Sequence, residues 1–330
     1  MHPNATHVIL AAIVIVLGAV SLMIGPVLLG PLDIARAFAG TGPEIDQIVV
    51  LEIRLPRTLL AAAIGATLGL SGAAIQGLVR NPLASPSLLG TSQAAALGAV
   101  TALAIGFGGA LSYALPLAAI ASSFVSALVL IAVTRNDFRP LSLILAGLAL
   151  SSLFSALISL ALNLAPNPFS ALEIAFWLLG SLADRSFDHL WLSLPFMAAS
   201  WLLLWAQGRG LKALTLGEDT ARSLGVNLGR LRVLVISGIS IGVGAAVAVP
   251  GVVGFVGLVV PHLMRPLVGH DPARLAGPSA LAGAALLLAA DSAVKLIPTT
   301  GQEIRLGVLT DLIGVPFFLY LIVRERSGVR

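Results

Sequence analysis

Runs of about twenty apolar residues recur along the whole chain, separated only by short polar connections, and this pattern dictates the solvent in which it folds. A hydrocarbon layer of ~30 Å is crossed by roughly 20 residues of helix. That ruler places spans at 8–30, 58–79, 88–107, 112–133, 141–163, 190–206, 232–250, 254–268, 277–296 and 305–323. The expected fold is therefore all-α and integral to the membrane, with ten transmembrane helices in one domain covering 1–330. Glycine and proline interrupt the third and eighth spans.

Charged residues make up only 10% of the chain, against about 25% in soluble proteins. Too little polar surface exists to cover such a molecule in water. There are no cysteines, which excludes disulfides and thiolate chemistry. The basic residues are scattered between apolar runs, so no nucleic-acid footprint is expected. No Lys or Arg precedes Arg36, and the apolar stretch from Val8 to Leu29 exceeds the ~7–15 residues of a signal core. It reads as a retained first span.

With both termini inside, thirteen Lys and Arg face the cytoplasm, from Arg80 to Arg330. Six face outward: Arg36, Arg54, Arg57, Arg185, Lys295 and Arg305. This positive-inside bias sets the expected orientation.

Helix contacts in lipid depend on close approach through small residues. Ala61, Gly65, Gly69, Ala73 and Gly77 recur every four residues in the second span, and Gly238, Gly242 and Ala246 repeat the pattern in the seventh. The outer connection Asn163–Leu190 is too short and mixed to span. It is expected to form a re-entrant or interfacial helix with Trp177 at headgroup level.

No phosphate-binding Gly-x-x-x-x-Gly-Lys-Ser/Thr loop, His-Glu-x-x-His or Gly-x-Ser-x-Gly motif occurs. The candidate intramembrane acids Glu173, Asp291 and Asp311 all lie near predicted span ends, unlike the mid-depth acids of ion-coupled carriers. Catalytic residues and metal ligands are not expected.

Three groups stand out. In the connection 208–231, Gly217 can start a helix, Glu218 and Asp219 suit its positive end, and Gly225 can close it in a left-handed cap. Ala221, Leu224 and Val226 offer an apolar side. The stretch fits a docking surface for another protein, and it also fits a solvated loop covering the bundle floor. At the other face, Arg54 and Arg57 open the second span around Pro56, where the macrodipole favours acids. They read either as a site for a partner's carboxylates or as interfacial anchors. Asp291 and Lys295 lie one turn apart and can pair.

These residues resemble the permease family of type II ABC importers for ferric siderophores, haem and cobalamin. The carrying segments are Arg54-Leu-Pro-Arg-Thr-Leu-Leu-Ala-Ala, Leu70-Ser-Gly-Ala-Ala-Ile-Gln-Gly-Leu-Val-Arg-Asn-Pro-Leu-Ala-Ser-Pro, Leu214-Thr-Leu-Gly-Glu, Ala221-Arg-Ser-Leu-Gly-Val, Gly254-Phe-Val-Gly-Leu-Val-Val-Pro-His-Leu-Met-Arg and Leu306-Gly-Val-Leu-Thr. The likeness runs from about 50 to 323.

The resemblance implies the permease bundle of that family, a homodimer enclosing a pore in the bacterial inner membrane. Two separate ATPase subunits would use ATP and Mg, with no cofactor on this chain. Gly217, Glu218, Asp219, Ala221, Arg222, Leu224 and Gly225 would form the coupling element. A periplasmic binding protein would dock through Arg54, Arg57, Lys295 and Arg305, and Arg305 stands where relatives often have proline. Ser142 would lie near the inner gate, while Ser151, Ser152 and Ser155 would line the path. Those serines can equally bond their own helix backbone. The implied cargo is an iron complex, ferric siderophore before haem before cobalamin. The competing reading is a secondary transporter or channel working without ATPases.

Overall fold

A computed structural model describes residues 3–106, 113–135, 139–269, 271–297 and 303–327. The expected span limits at 107 and 112, and Arg330, lie outside them. The elements are helical: α1 (Pro3–Met23), α2 (Pro31–Phe38), α3 (Glu44–Ile48), α4 (Leu55–Val79), α5 (Thr91–Ala104), α6 (Ala114–Thr134), α7 (Pro140–Asn163), α8 (Pro168–Leu178), α9 (Phe187–Ala206), α10 (Gly208–Leu214), α11 (Glu218–Ser223), α12 (Leu228–Ala248), α13 (Val256–Met264), α14 (Pro272–Leu296) and α15 (Leu306–Ser327).

Each expected span has its helix, yet among the described residues seven are long and apolar enough to cross a membrane. The other three expected spans correspond to α5, α13 and α15. Glycine and proline account for two of them. Pro86 opens a 3-10 turn before α5, and Gly90 ends it at φ +75°. α13 continues only through a 3-10 turn, Arg265–Val268.

The second span departs most from expectation. It runs from Glu44 to Val79 as one rod, α3 passing into α4 through a π-helical turn at Val49–Arg54. Pro56 lacks an N–H and its ring crowds the preceding turn, and a widened π turn relieves both. Arg54 and Arg57 therefore sit inside a continuous helix, and the macrodipole argument for a partner's carboxylates loses its premise.

α4 is the axis of the bundle and is buried along most of its length, whereas α7 is largely exposed. It crosses α14 at backbone contact. A Cβ at Gly65 would collide with the carbonyl of Gly283, and one at Gly69 with that of Ser279. The expected small-residue face is thus used, and lipid offers no other drive for such contact. Trp201 on α9 donates to Thr67 Oγ1 across 2.8 Å, and Ser123 on α6 donates to the Ser240 carbonyl on α12 across 2.9 Å.

Between α12 and α13 the chain leaves the helix, with Gly251 at φ +88° and Phe255 at φ +60°. Non-helical backbone at membrane depth must be satisfied by protein. Here Ser181 N–H donates to the Pro250 carbonyl at 2.6 Å, and Gly180, at φ +73°, lets the Val252 carbonyl approach. α8, capped by Asn167, is the short helix expected in 163–190. Trp177 is part-buried and packs against the cluster of Ala96, Val100, Ile158 and Ile174, while Phe169 and Phe176 of the same helix are exposed.

Gly69→Ala is expected to lower the thermal midpoint in detergent, because backbone stands where the methyl must go; such overpacking costs ~1–3 kcal/mol or more. Gly229→Ala, which meets only ordinary contact, should be neutral or stabilising, as helix propensity alone favours alanine by about 1 kcal/mol. Equal midpoints for the two would refute the close-contact account.

Candidate functional site

At the end where α4 begins, α1, α4, α14 and the non-helical stretch before α15 converge on a buried ion cluster. Asp291 on α14 has a fully buried side chain. Arg57 Nε donates to its two oxygens at 2.9 and 3.2 Å, and Lys295 Nζ lies 2.8 Å from Oδ2. Arg57 also donates to both oxygens of Glu303, through Nη2 at 2.7 Å and Nη1 at 3.3 Å. Lys295 reaches Ser21 Oγ on α1 at 3.0 Å, and Ser21 in turn bonds Thr58. The expected Asp291–Lys295 pair is present. Glu303 was not singled out, although it is an acid close in sequence to the last span.

Arg54 solves a different problem. Its guanidinium donates to the carbonyls of Leu22, at 2.8 Å, and Met23 at the C-terminal end of α1, and to that of Val27 in the turn beyond it. A cation there also suits the macrodipole. Arg54, Arg57 and Lys295 thus have their side chains partnered within the chain, Arg54 by carbonyls and the other two by Asp291 and Glu303. Arg305, the fourth of that group, is part-buried with its guanidinium 5.1 Å from the Phe176 ring centre.

At the opposite end, the connection 208–231 forms α10 and α11. Gly217 enters α11 at φ +100°, and Gly225 at φ +84° closes it. Val226 N–H reaches back to the Ala221 carbonyl at 3.0 Å, which is the expected left-handed cap. Glu218 is encircled by arginines: Arg232 at 2.7 Å, Arg222 at 3.7 Å and Arg80, from the end of α4, at 3.9 Å. Asp219 is almost fully exposed and pairs with Arg222. Ala221 is buried and Val226 packs on the core, as expected of an apolar side. Leu224 does not join them. It is exposed, as is Leu216, so the two leucines flank α11 on its open surface. Nearby, Gln76 accepts from Arg265 at 2.7 Å and donates to the Ala84 and Leu258 carbonyls, a tie absent from the sequence reading.

α7 packs through a narrow stripe of Leu143, Gly147 and Ile158. Gly147 lies against the Leu88 carbonyl, and Ser151 donates to the Ser87 carbonyl at 3.4 Å in an exposed hydrogen bond. At 3.6 residues per turn, Ser152, Ser155, Ser159 and Asn163 share one exposed flank. Ser142 falls away from it. Ser159 and Asn163 bond carbonyls one turn earlier, at 3.0 and 2.9 Å, which is the backbone-bonding alternative. Beside the Pro86 turn lies a cavity of about 390 Å³ lined by Ser87, Gln93, Val252, Phe255 and Phe318. Among the described residues no cluster of His, Asp or Glu is arranged to hold a metal.

A family model for the FecCD transport family matches residues 13–324. The chain belongs to that family. Among FecCD relatives, the ABC transporter permease YvrB of Bacillus subtilis is 39% identical over 89% of this chain and 85% of its own. The cobalamin import system permease of Halobacterium salinarum is 38% identical over 86% and 76%, and the vitamin B12 import system permease of Vibrio parahaemolyticus 36% over 97% and 94%. A solved structure, described as an inward-facing conformation of a metal-chelate type ABC transporter, superposes with a TM-score of 0.87 at 32% identity, covering 97% and 99% of the two chains. This FecCD-family chain is therefore a multi-pass membrane protein with its relatives' fold.

Asp291→Ala should strand Lys295 as a buried charge, leave Arg57 with Glu303 alone, and cost ~3–5 kcal/mol. Pairing it with Lys295→Met should restore part of the lost thermal midpoint. A single variant as stable as the parent would deny the cluster a structural role.

Proposed function

We propose that this chain is the membrane-spanning subunit of an ATP-driven importer of metal chelates. Two copies enclose a passage, two ATPase subunits supply the energy from ATP and Mg, and a periplasmic protein delivers the cargo. The membrane is the bacterial inner membrane, with both termini cytoplasmic. One observation carries the reading: α11 is a short, capped helix that leaves Leu216, Leu224 and Asp219 exposed while Arg80 and Arg232 hold Glu218 at its base. An exposed apolar pair on a braced helix suits a partner that pushes on it, and the chain has no phosphate loop of its own.

Bracing fixes the direction of transmission. Glu218 ties α11 to Arg80 at the end of the central α4 and to Arg232 on α12, so a displacement of α11 reaches the bundle core. The weakly packed α7, with Ser152 and Ser155 on its exposed flank, is the wall that responds. Uncharged hydroxyls there contact a bulky chelate without binding it tightly.

Within the chelates we favour a corrinoid ahead of ferric siderophore and haem, the reverse of the order the resemblance implied, because two of the relatives carry cobalamin or vitamin B12 import in their names. The identities of 36–38% support this ranking.

Proteoliposomes containing the permease and its ATPase should accumulate labelled cyanocobalamin from its binding protein only with ATP. Leu224→Asp should reduce uptake at least about tenfold, since a charge replaces apolar contact area, while the permease stays folded. Uptake independent of nucleotide would instead establish a secondary transporter or channel.

A further inference from the structure

Of the three candidate intramembrane acids, Asp291 is held by Arg57 and Lys295, and Glu173 stands exposed on the short α8. Asp311 has no such account. It is the one charged residue between Leu306 and Val323 on the last helix, roughly 7.5 Å along the axis from the start of α15. The residue is exposed, and among the described residues it makes no hydrogen bond and no ion pair. Val308, Leu312 and Val315, its neighbours on the helix surface, are exposed and apolar. Ionisable side chains inside a membrane face the bundle interior or a water-filled cavity, because hydrocarbon solvates them poorly.

The geometry shows which space Asp311 borders. Its carboxylate lies where a Cβ on Gly254 would go, against the non-helical joint 249–255. Gly254 in turn lines the cavity of about 390 Å³ beside the Pro86 turn, and so does Phe318, seven residues from Asp311 and on the same face of α15. Ser87 lines it too, and the Ser87 carbonyl accepts from Ser151 on α7. The open faces of α7 and α15 therefore meet around one space, to which α7 brings hydroxyls and α15 a carboxylate.

We infer that Asp311 is a specificity residue of the passage, a fixed negative charge in its wall that admits neutral or cationic chelates and repels anionic ones. The inference rests on the importer reading and deepens it by naming the charge class of the cargo. Low-dielectric walls focus the field of a charge along a narrow opening, so a carboxylate acts on cargo it does not touch. It also accepts hydrogen bonds from amide groups such as those on the rim of a corrinoid, whereas a ferric complex of net negative charge meets like charge.

The chain has no cysteine, so a single Val315→Cys, one turn from Asp311 on the same exposed face, reports the local potential in the assembled permease–ATPase complex. Cationic and anionic methanethiosulfonates of similar size are compared. The cationic reagent should react at least about fivefold faster, with a ratio that falls as salt rises, and adding Asp311→Asn should bring the ratio near unity. Equal rates in the parent overturn the assignment. Protection from both reagents overturns it as well, because lipid or the second copy would then cover the face. In the transport arm, cyanocobalamin is set against its monocarboxylate, in which a carboxylate replaces one amide, each at saturating binding protein so that passage rather than capture is read. Asp311→Asn should raise uptake of the monocarboxylate relative to cyanocobalamin at least about threefold. An unchanged ratio also overturns the assignment. Uptake that needs no ATP would remove the importer reading alone, since the thiol rates still judge Asp311.

Discussion

The crossing of α4 and α14 governs the rest of the molecule. Lipid tails are as apolar as leucine, so nothing resembling water exclusion presses these helices together. Gly65, Gly69 and Gly283 instead let backbone meet backbone, and many small dispersion contacts accumulate along the seam. That closeness sets the register at both ends. At one end it puts Arg57 opposite Asp291, and at the other it leaves Arg80 beside Glu218. The ion cluster is a consequence of the seam: Arg57 and Lys295, paired with Asp291 and Glu303, tolerate burial where any one alone would not.

Around this seam the bundle divides by how firmly each helix is held. α4, α12 and α14 present wide buried faces, whereas α7 touches its neighbours along one stripe. α8 and the non-helical joint 249–255 are pinned by a few backbone bonds and by glycines that admit carbonyls. Packed cores behave as rigid bodies, and loosely attached elements have more than one arrangement within reach. In the proposed importer, a passage bordered by α7 and driven through α11 would move a wall against a fixed spine.

Much of this was legible in the sequence for a simple reason. Period-four glycines in α4 have one economical use in lipid, and a Gly–acid–acid opening followed eight residues later by Gly225 describes a capped helix wherever it occurs. What the sequence concealed were long-range partners. Arg54 and Arg57 looked like charges in search of a docking protein because their counterparts are a distant helix terminus and two acids on the far side of the chain. The π turn at Val49–Arg54 was hidden as well, since proline reads as a helix start when its surroundings are unknown. Leu224 was placed on the wrong side of α11 because a six-residue helix is too short for periodicity to fix a face.

The central claim, a fixed spine with a movable wall, is tested most directly by pulsed dipolar distance measurements on the assembled transporter with and without ATP. Spin labels at Ser155 of the two copies should change their separation by several ångströms on nucleotide binding, while labels at Leu59 and Leu296 within one copy keep theirs. A static Ser155 pair beside a shifting Leu59–Leu296 distance, or no signal between copies at Ser155, would contradict the account.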